Sequence, residues 1–291
     1  RHLSEHPLLA VFLARDGVTI TQVNVDAAGQ NILNDAANEP SLTIDPTNPL
    51  RMAVGWRQFA NITSNFRQAG YAYTTDGGAT WHANTYDPTV FRSDPVLDTT
   101  AAGTFHYNSL QTTFYSDELI STNWGQTWGS PNPATGGDKQ WIAIDKTPNS
   151  PGFGFVHQWW STAGNNYSGR QYSRSTNGGT TWSNPINVPQ RPIWGTIAID
   201  TAGRIYLAGT ASGAPGLRVV RSSNANNGSV TPTFDVQTTP AMLGDVNSGL
   251  SINPGGLAGQ VSCVADTGNS PYAGTIYILS SIYRDDNQNL D

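Results

Sequence analysis

The chain has 291 residues, of which 12% are charged and 10% aromatic, with 30 glycines, 18 prolines and a formal net charge of −6. That length suits one large domain or two small ones. An acidic chain without a basic run argues against nucleic acid as a partner, and no apolar stretch approaches the ~18 residues of a membrane span. Lysine occurs only at 139 and 146, and glutamate only at 5, 39 and 118. Helix formers are therefore scarce, whereas Thr, Val, Ile, Tyr and Trp, which suit a pleated half-buried surface, abound. Composition predicts an all-β fold.

In chain order, the apolar run Pro7–Ala14 meets Arg15-Asp16-Gly17 and reads as a strand entering a turn. With Val18–Val25 it forms a hairpin, so residues 1–37 are a lead-in segment. No signal peptide is visible, as in a mature or trimmed chain. From 38 onward, pairs of short strands join across turns. Ser41–Asp45 leads to Met52–Trp56, Pro95–Asp98 to Thr104–Asn108, and Trp141–Asp145 to Phe153–His157. Thr196–Asp200 leads to Arg204–Ala208, and Val261–Asp266 to Thr275–Leu279. Asp45, Asp98, Asp145, Asp200 and Asp266 mark the inner turns and read as structural. The single cysteine, Cys263, lies in an alternating strand and reads as a buried, inert thiol. It excludes an intrachain disulfide.

A second motif repeats out of phase with the strand pairs. Thr74-Thr75-Asp76-Gly77-Gly78-Ala79-Thr80-Trp81 recurs as Ser121-Thr122-Asn123-Trp124-Gly125-Gln126-Thr127-Trp128 and as Ser175-Thr176-Asn177-Gly178-Gly179-Thr180-Thr181-Trp182. A worn copy starts at Ser222-Ser223-Asn224 and lacks the tryptophan. The Asp or Asn side chain accepts from nearby backbone N–H groups, glycine tolerates positive φ, and Trp anchors the turn on the sheet. Each period of about fifty residues then holds four antiparallel strands, the pattern of a propeller blade. The blades span about 38–90, 91–137, 138–188 and 189–243, with a partial blade at 244–291, so that 38–291 is one β-propeller domain.

These turns resemble Asp boxes, and from about 38 to 284 the chain resembles the Asp-box (BNR-repeat) sialidase-like superfamily, closest to its bacterial secreted members. The resemblance implies six or seven blades in a full protein, with about five here. Either further blades follow, or the N-terminal hairpin supplies the missing strands of the fifth. It also implies a secreted, periplasmic or cell-surface location. Asp76, Asn123 and Asn177 would be folding residues, because the family's boxes lie on the rim away from the active site. The family's Arg-Ile-Pro motif ahead of the first box is absent, and no Tyr–Glu nucleophile pair can be assigned.

In a propeller, ligands meet the mouth where inner strands begin and second strands end. Converging carboxylates, arginines, amides and aromatics there suit carbohydrate. The candidate catalytic residues are Asp94, Asp138 and Glu39. The candidate substrate-binding residues are Arg57, Arg67, Arg191, Trp56, Gln158 and Trp159, with at most one of Trp159 and Trp160 facing a ligand. Three readings stand: a glycoside hydrolase acting on an acidic glycan, a non-catalytic glycan- or protein-binding propeller, and a polysaccharide lyase built on a His/Tyr/Arg set. A glycan is the partner implied. No metal-binding spacing, cofactor motif or oligomeric state is implied. Three sequons begin at Asn61, Asn166 and Asn227.

Overall fold

The structure is a computed structural model, and it describes residues 11–13, 19–161, 167–211, 216–242, 244–246 and 260–284. The Arg15-Asp16-Gly17 turn, the Asn166 sequon and the first part of the fifth blade (247–259) lie outside the described residues. The described residues are strands and turns without a helix. They form the antiparallel, mostly four-stranded blades of a β-propeller in two compact units.

The first unit comprises residues 1–112 and 116–132. A hairpin pairs β1 (Val11–Leu13) with β2 (Thr19–Thr21). The first blade runs in order through β3 (Ala36–Ile44), β4 (Met52–Phe59), β5 (Gln68–Thr74) and β6 (His82–Tyr86). The second holds β7 (Ser93–Thr99), β8 (Phe105–Leu110) and β9 (Ser116–Ser121), with β10 (Asn132–Ala134), which begins at the unit's last residue, next to β9 in the sheet. Alternate residues of facing sheets make the core: Ala53, Ala69 and Tyr71 against Leu97, Phe105, Tyr107 and Leu119. The motif's Trp128 is wedged edge-on against Tyr71 and Tyr107, with ring centroids 6.0 and 5.5 Å away. This is the apolar anchoring that the repeat predicts.

The second unit comprises 113–115 and 133–291. Its first sheet has three strands, β11 (Trp141–Ile144), β12 (Val156–Trp159) and β13 (Tyr172–Ser175). The expected fourth strand is reduced to a single bridge, Tyr172 to Ile186. Pro185 and Pro189 flank that bridge and offer no N–H to extend a ladder. The next blade is complete: β14 (Pro192–Ile199), β15 (Ile205–Ala211), β16 (Leu217–Ser222) and β17 (Val236–Thr238). Last come β18 (Gly244–Asp245), β19 (Val261–Ala265), β20 (Ile276–Ser280) and β21 (Tyr283–Arg284), paired 18 with 21 and 19 with 20. Cys263 is buried among Ala198, Ala208, Leu217, Val219, Val246 and Val261.

Both repeated turns are built by the same bonds each time. At the outer turns, Thr80, Thr127 and Thr181 donate their N–H to the Oδ1 of Asp76, Asn123 and Asn177 at 2.9, 3.0 and 2.9 Å. The glycines Gly78, Gly125 and Gly179 donate to the preceding Thr74, Ser121 and Ser175 hydroxyls. The worn copy closes in the same manner, but over a longer loop: Thr233 N–H donates to Asn224 Oδ1 at 2.9 Å, nine residues on instead of four. Phe234 then stands where the tryptophan would follow, packed edge-on against Tyr172. At the inner turns, Asp45, Asp145, Asp200 and Asp266 each accept the N–H two residues on. In the second blade Thr100, not Asp98, holds this position: its N–H bonds Thr104 O, and its hydroxyl accepts from Thr104 N–H. Asp98 lies in β7 opposite His106.

Candidate functional site

Four inner strands, β3, β7, β11 and β14, share one backbone distortion at or just before their start. Counting six residues back from the inner-turn positions 45, 100, 145 and 200 gives Glu39, Asp94, Lys139 and Trp194. All four have left-handed backbones, with φ of 54°, 47°, 52° and 55°. In β3, β7 and β14 they lie inside a register shift, between Asn38 and Ser41, Ser93 and Val96, and Ile193 and Thr196. A side chain at positive φ costs about 1–3 kcal/mol, which glycine would avoid. Bulges of this kind re-aim a side chain at the end of a sheet.

In the first unit two of these positions meet around one guanidinium. Arg57, on β4 directly opposite Asn38, donates from Nε to Asn38 Oδ1 at 2.7 Å. Its terminal nitrogens lie 3.2 Å from Glu39 Oε1 and 3.9 Å from Asp94 Oδ1. The Asp94 side chain is 6% exposed and that of Glu39 32%, with Glu39 Oε2 itself buried. Ser93 Oγ donates to Asp94 Oδ1 at 2.6 Å and lies 3.5 Å from an Arg67 nitrogen. The Arg67 guanidinium stands 5.6 Å from the Phe91 ring centre, and Phe66 meets Phe91 edge-on. Charges therefore alternate along Glu39, Arg57, Asp94 and Arg67, beside a partly exposed aromatic pair.

The remaining candidates are distributed differently. Trp56 is 5% exposed and its indole N–H donates to Gln58 Oε1 at 2.6 Å. A Cβ at Gly70 would overlap that indole, so Trp56 packs flat on the next strand. Trp159 and Trp160 are 1% and 0% exposed. Trp159 belongs to the second unit's core, and neither ring of the pair offers a face to a ligand. Both are core residues because their strand is covered on both sides. Gln158 is fully buried, accepting from Thr135 Oγ1 at 3.3 Å. Asp138 and Arg191 are in the second unit. Asp138 is half-buried, with its carbonyl accepting the Ser161 N–H. Arg191 is exposed with φ 43°, three residues ahead of the bulge that Trp194 occupies. Asp245 is paired to Tyr283 in the short β18–β21 ladder.

Two clusters of polar side chains are buried. Glu118 bonds His106 Nδ1 at 2.8 Å and accepts from Asn108 Nδ2 at 2.9 Å, all three at 0–1% exposure. In the second unit His157 Nδ1 meets Tyr172 OH at 2.7 Å, with Arg174 nearby. This is the residue set a lyase would need, but it is enclosed in the core. Burial, with the Arg174 charge, pushes the His157 imidazole down to about 3. Arg174 is committed to the carbonyls of Ala225 and Val230. A base held at that value and shut off from solvent is a poor proton acceptor. No group of three or more potential metal ligands occurs among the described residues.

No protein-family profile matches the sequence, and no curated protein matches it. Solved structures do. A Dyadobacter fermentans protein of unknown function aligns over 90% of this chain and 85% of its own, at 13% identity and a TM-score of 0.54. Penicillium chrysogenum α-L-arabinanase aligns over 84% and 75%, at 15% identity and 0.49. The leech intramolecular trans-sialidase aligns over 54% and 26%, at 17% identity and 0.37. At such identities a likeness speaks for the fold alone.

Proposed function

We propose that the protein is a carbohydrate-active propeller of the sialidase-like, Asp-box kind, acting as a glycoside hydrolase on an acidic glycan outside the cytoplasm. The observation that carries this reading is the Arg57 guanidinium between Glu39 and Asp94, both on left-handed bulges at the start of inner strands. Hydrolysis of a glycosidic bond uses two carboxyl groups flanking it. Glu39, whose side chain is the more exposed, would act on the bond, with Asp94 held by Ser93 and Arg57. Arg67 meets no carboxylate among the described residues and supplies a cation for the acid group of the sugar. The same fixed acceptors would also serve recognition without turnover, because Arg57 holds them ready for sugar hydroxyls.

The test is a glycan array followed by product analysis on the intact chain, with Glu39→Gln and Asp94→Asn variants. Release of reducing sugar that falls at least 100-fold in either variant supports hydrolysis. Binding without turnover supports the recognition module, and no binding to any glycan sinks both.

A further inference from the structure

The left-handed backbone position at the start of the inner strand recurs with a different side chain each time: Glu39 and Asp94 in the first unit, Lys139 and Trp194 in the second. A purely structural distortion would favour glycine, or asparagine, at that φ. A bulky aromatic there is a genuine outlier. The distortion at 194 is locked from behind. A Cβ at Gly195 would overlap the Ala208 carbonyl, and one at Gly209 would overlap the Ile193 carbonyl. The backbone of 194 is tied by its N–H to Ser161 Oγ at 3.2 Å. What the side chain itself contributes to the core is small. Trp194 is only half-buried and belongs to neither of the buried clusters described for its unit. No aromatic ring or cation of the described residues stacks on it. Its indole N–H bonds no described residue, yet is not among the buried polar atoms lacking a partner, which include those of Trp159, Trp160 and Trp182.

We propose that Trp194 is the sugar-stacking residue of the second unit, presented by the bulge so that its ring covers the apolar C–H face of a pyranose while its N–H reaches a hydroxyl. The inference rests on the carbohydrate reading above. It gives the stacking role to Trp194 in place of the enclosed Trp56, Trp159 and Trp160. An indole face is large, rigid and apolar with one polar edge, which is what a sugar ring with one hydroxyl-poor face requires.

Backbone strain gives this proposal a test that a structural role would fail. Trp194→Gly relieves the left-handed strain, so its melting temperature should equal or exceed that of the parent chain. Its binding to the sugar should nevertheless weaken at least 10-fold. Trp194→Phe should retain binding within about 5-fold while losing the change in tryptophan fluorescence on titration. The probes are trigalacturonate, 3′-sialyllactose and cellotetraose, titrated by calorimetry and fluorescence against the intact chain. If Trp194→Gly binds the probe as tightly as the parent, the stacking role is wrong and the carbohydrate reading stands. If Trp194→Gly lowers the melting temperature and binding falls only with it, Trp194 is a packing residue. If the parent chain binds none of the three, the carbohydrate reading fails and takes this proposal with it.

Discussion

At the scale of single residues, the outer turns show why Asp and Asn stand in for one another in the repeat. Asp76 accepts from the Thr80 hydroxyl and N–H and from Thr74, and these bonds hold its carboxyl at about 2, below the ordinary 3.8. The folded state therefore binds that proton less readily than the unfolded chain. Its stabilising contribution is complete above pH ~4 and is lost as pH falls from there through 2. Asn123 and Asn177 close equivalent turns without a charge. Asp76→Asn should consequently keep the fold at pH 7 and lose less stability than the parent between pH 4 and 2, read as melting temperature against pH. Equal slopes would mean the carboxylate charge is irrelevant. Arg57 can be read by a double-mutant cycle. Arg57→Met combined with Glu39→Gln should be less damaging than the sum of the two, with a coupling of about 0.5–3 kcal/mol. Strict additivity in denaturant titrations would show that the 3.2 Å pair does not act as one.

At the scale of the strand, the β14 bulge depends on two glycines set against carbonyls. Gly195→Ala should cost about 3 kcal/mol or more, because the carbonyl it would strike belongs to a hydrogen-bonded strand and not to a movable side-chain tip. Urea unfolding measures this directly, and a loss below 1 kcal/mol would mean the bulge opens easily. The same element shows where sequence reading stops. The inner-turn aspartates and outer turns were visible because their bonds are local, two to four residues apart. Thr100 was missed because a hydroxyl does there what a carboxylate does elsewhere. Phe234 was missed because the loop ahead of it is five residues longer than in the other copies. Trp194 was passed over in favour of Arg191, although counting six residues back from Asp200 would have found it. Glu39 and Asp94 were found by that position, but their meeting at Arg57 required the sheet register that sets Arg57 opposite Asn38.

At the scale of the whole chain, the pattern of blades was legible, whereas burial of the second strands was not. Trp159 and Gln158 read as residues at a mouth, yet β12 is covered on both faces and they became core. Polarity along a strand predicts exposure only when one face is free, and here buried polar groups bond inside the sheet instead, His157 Nδ1 to Tyr172 OH and Ser173 Oγ to the Ser183 carbonyl. The lone thiol offers a reporter for the second unit. Cys263 is 3% exposed, and burial raises it to about 11. In native buffer at pH 8, a disulfide reagent should label it at least 100-fold more slowly than in unfolding urea. Rapid labelling of the native chain would show that the β19–β20 hairpin is open.

The lengthened turn at Asn224 carries a practical consequence. Because Asn224 and Thr233 close it at its ends, and Ala225 and Val230 are held from below by Arg174, its exposed tip at Asn227-Gly228-Ser229 is spare chain. It is the natural place to graft a tag, a fluorophore or a foreign peptide while the bonds that close the turn stay in place.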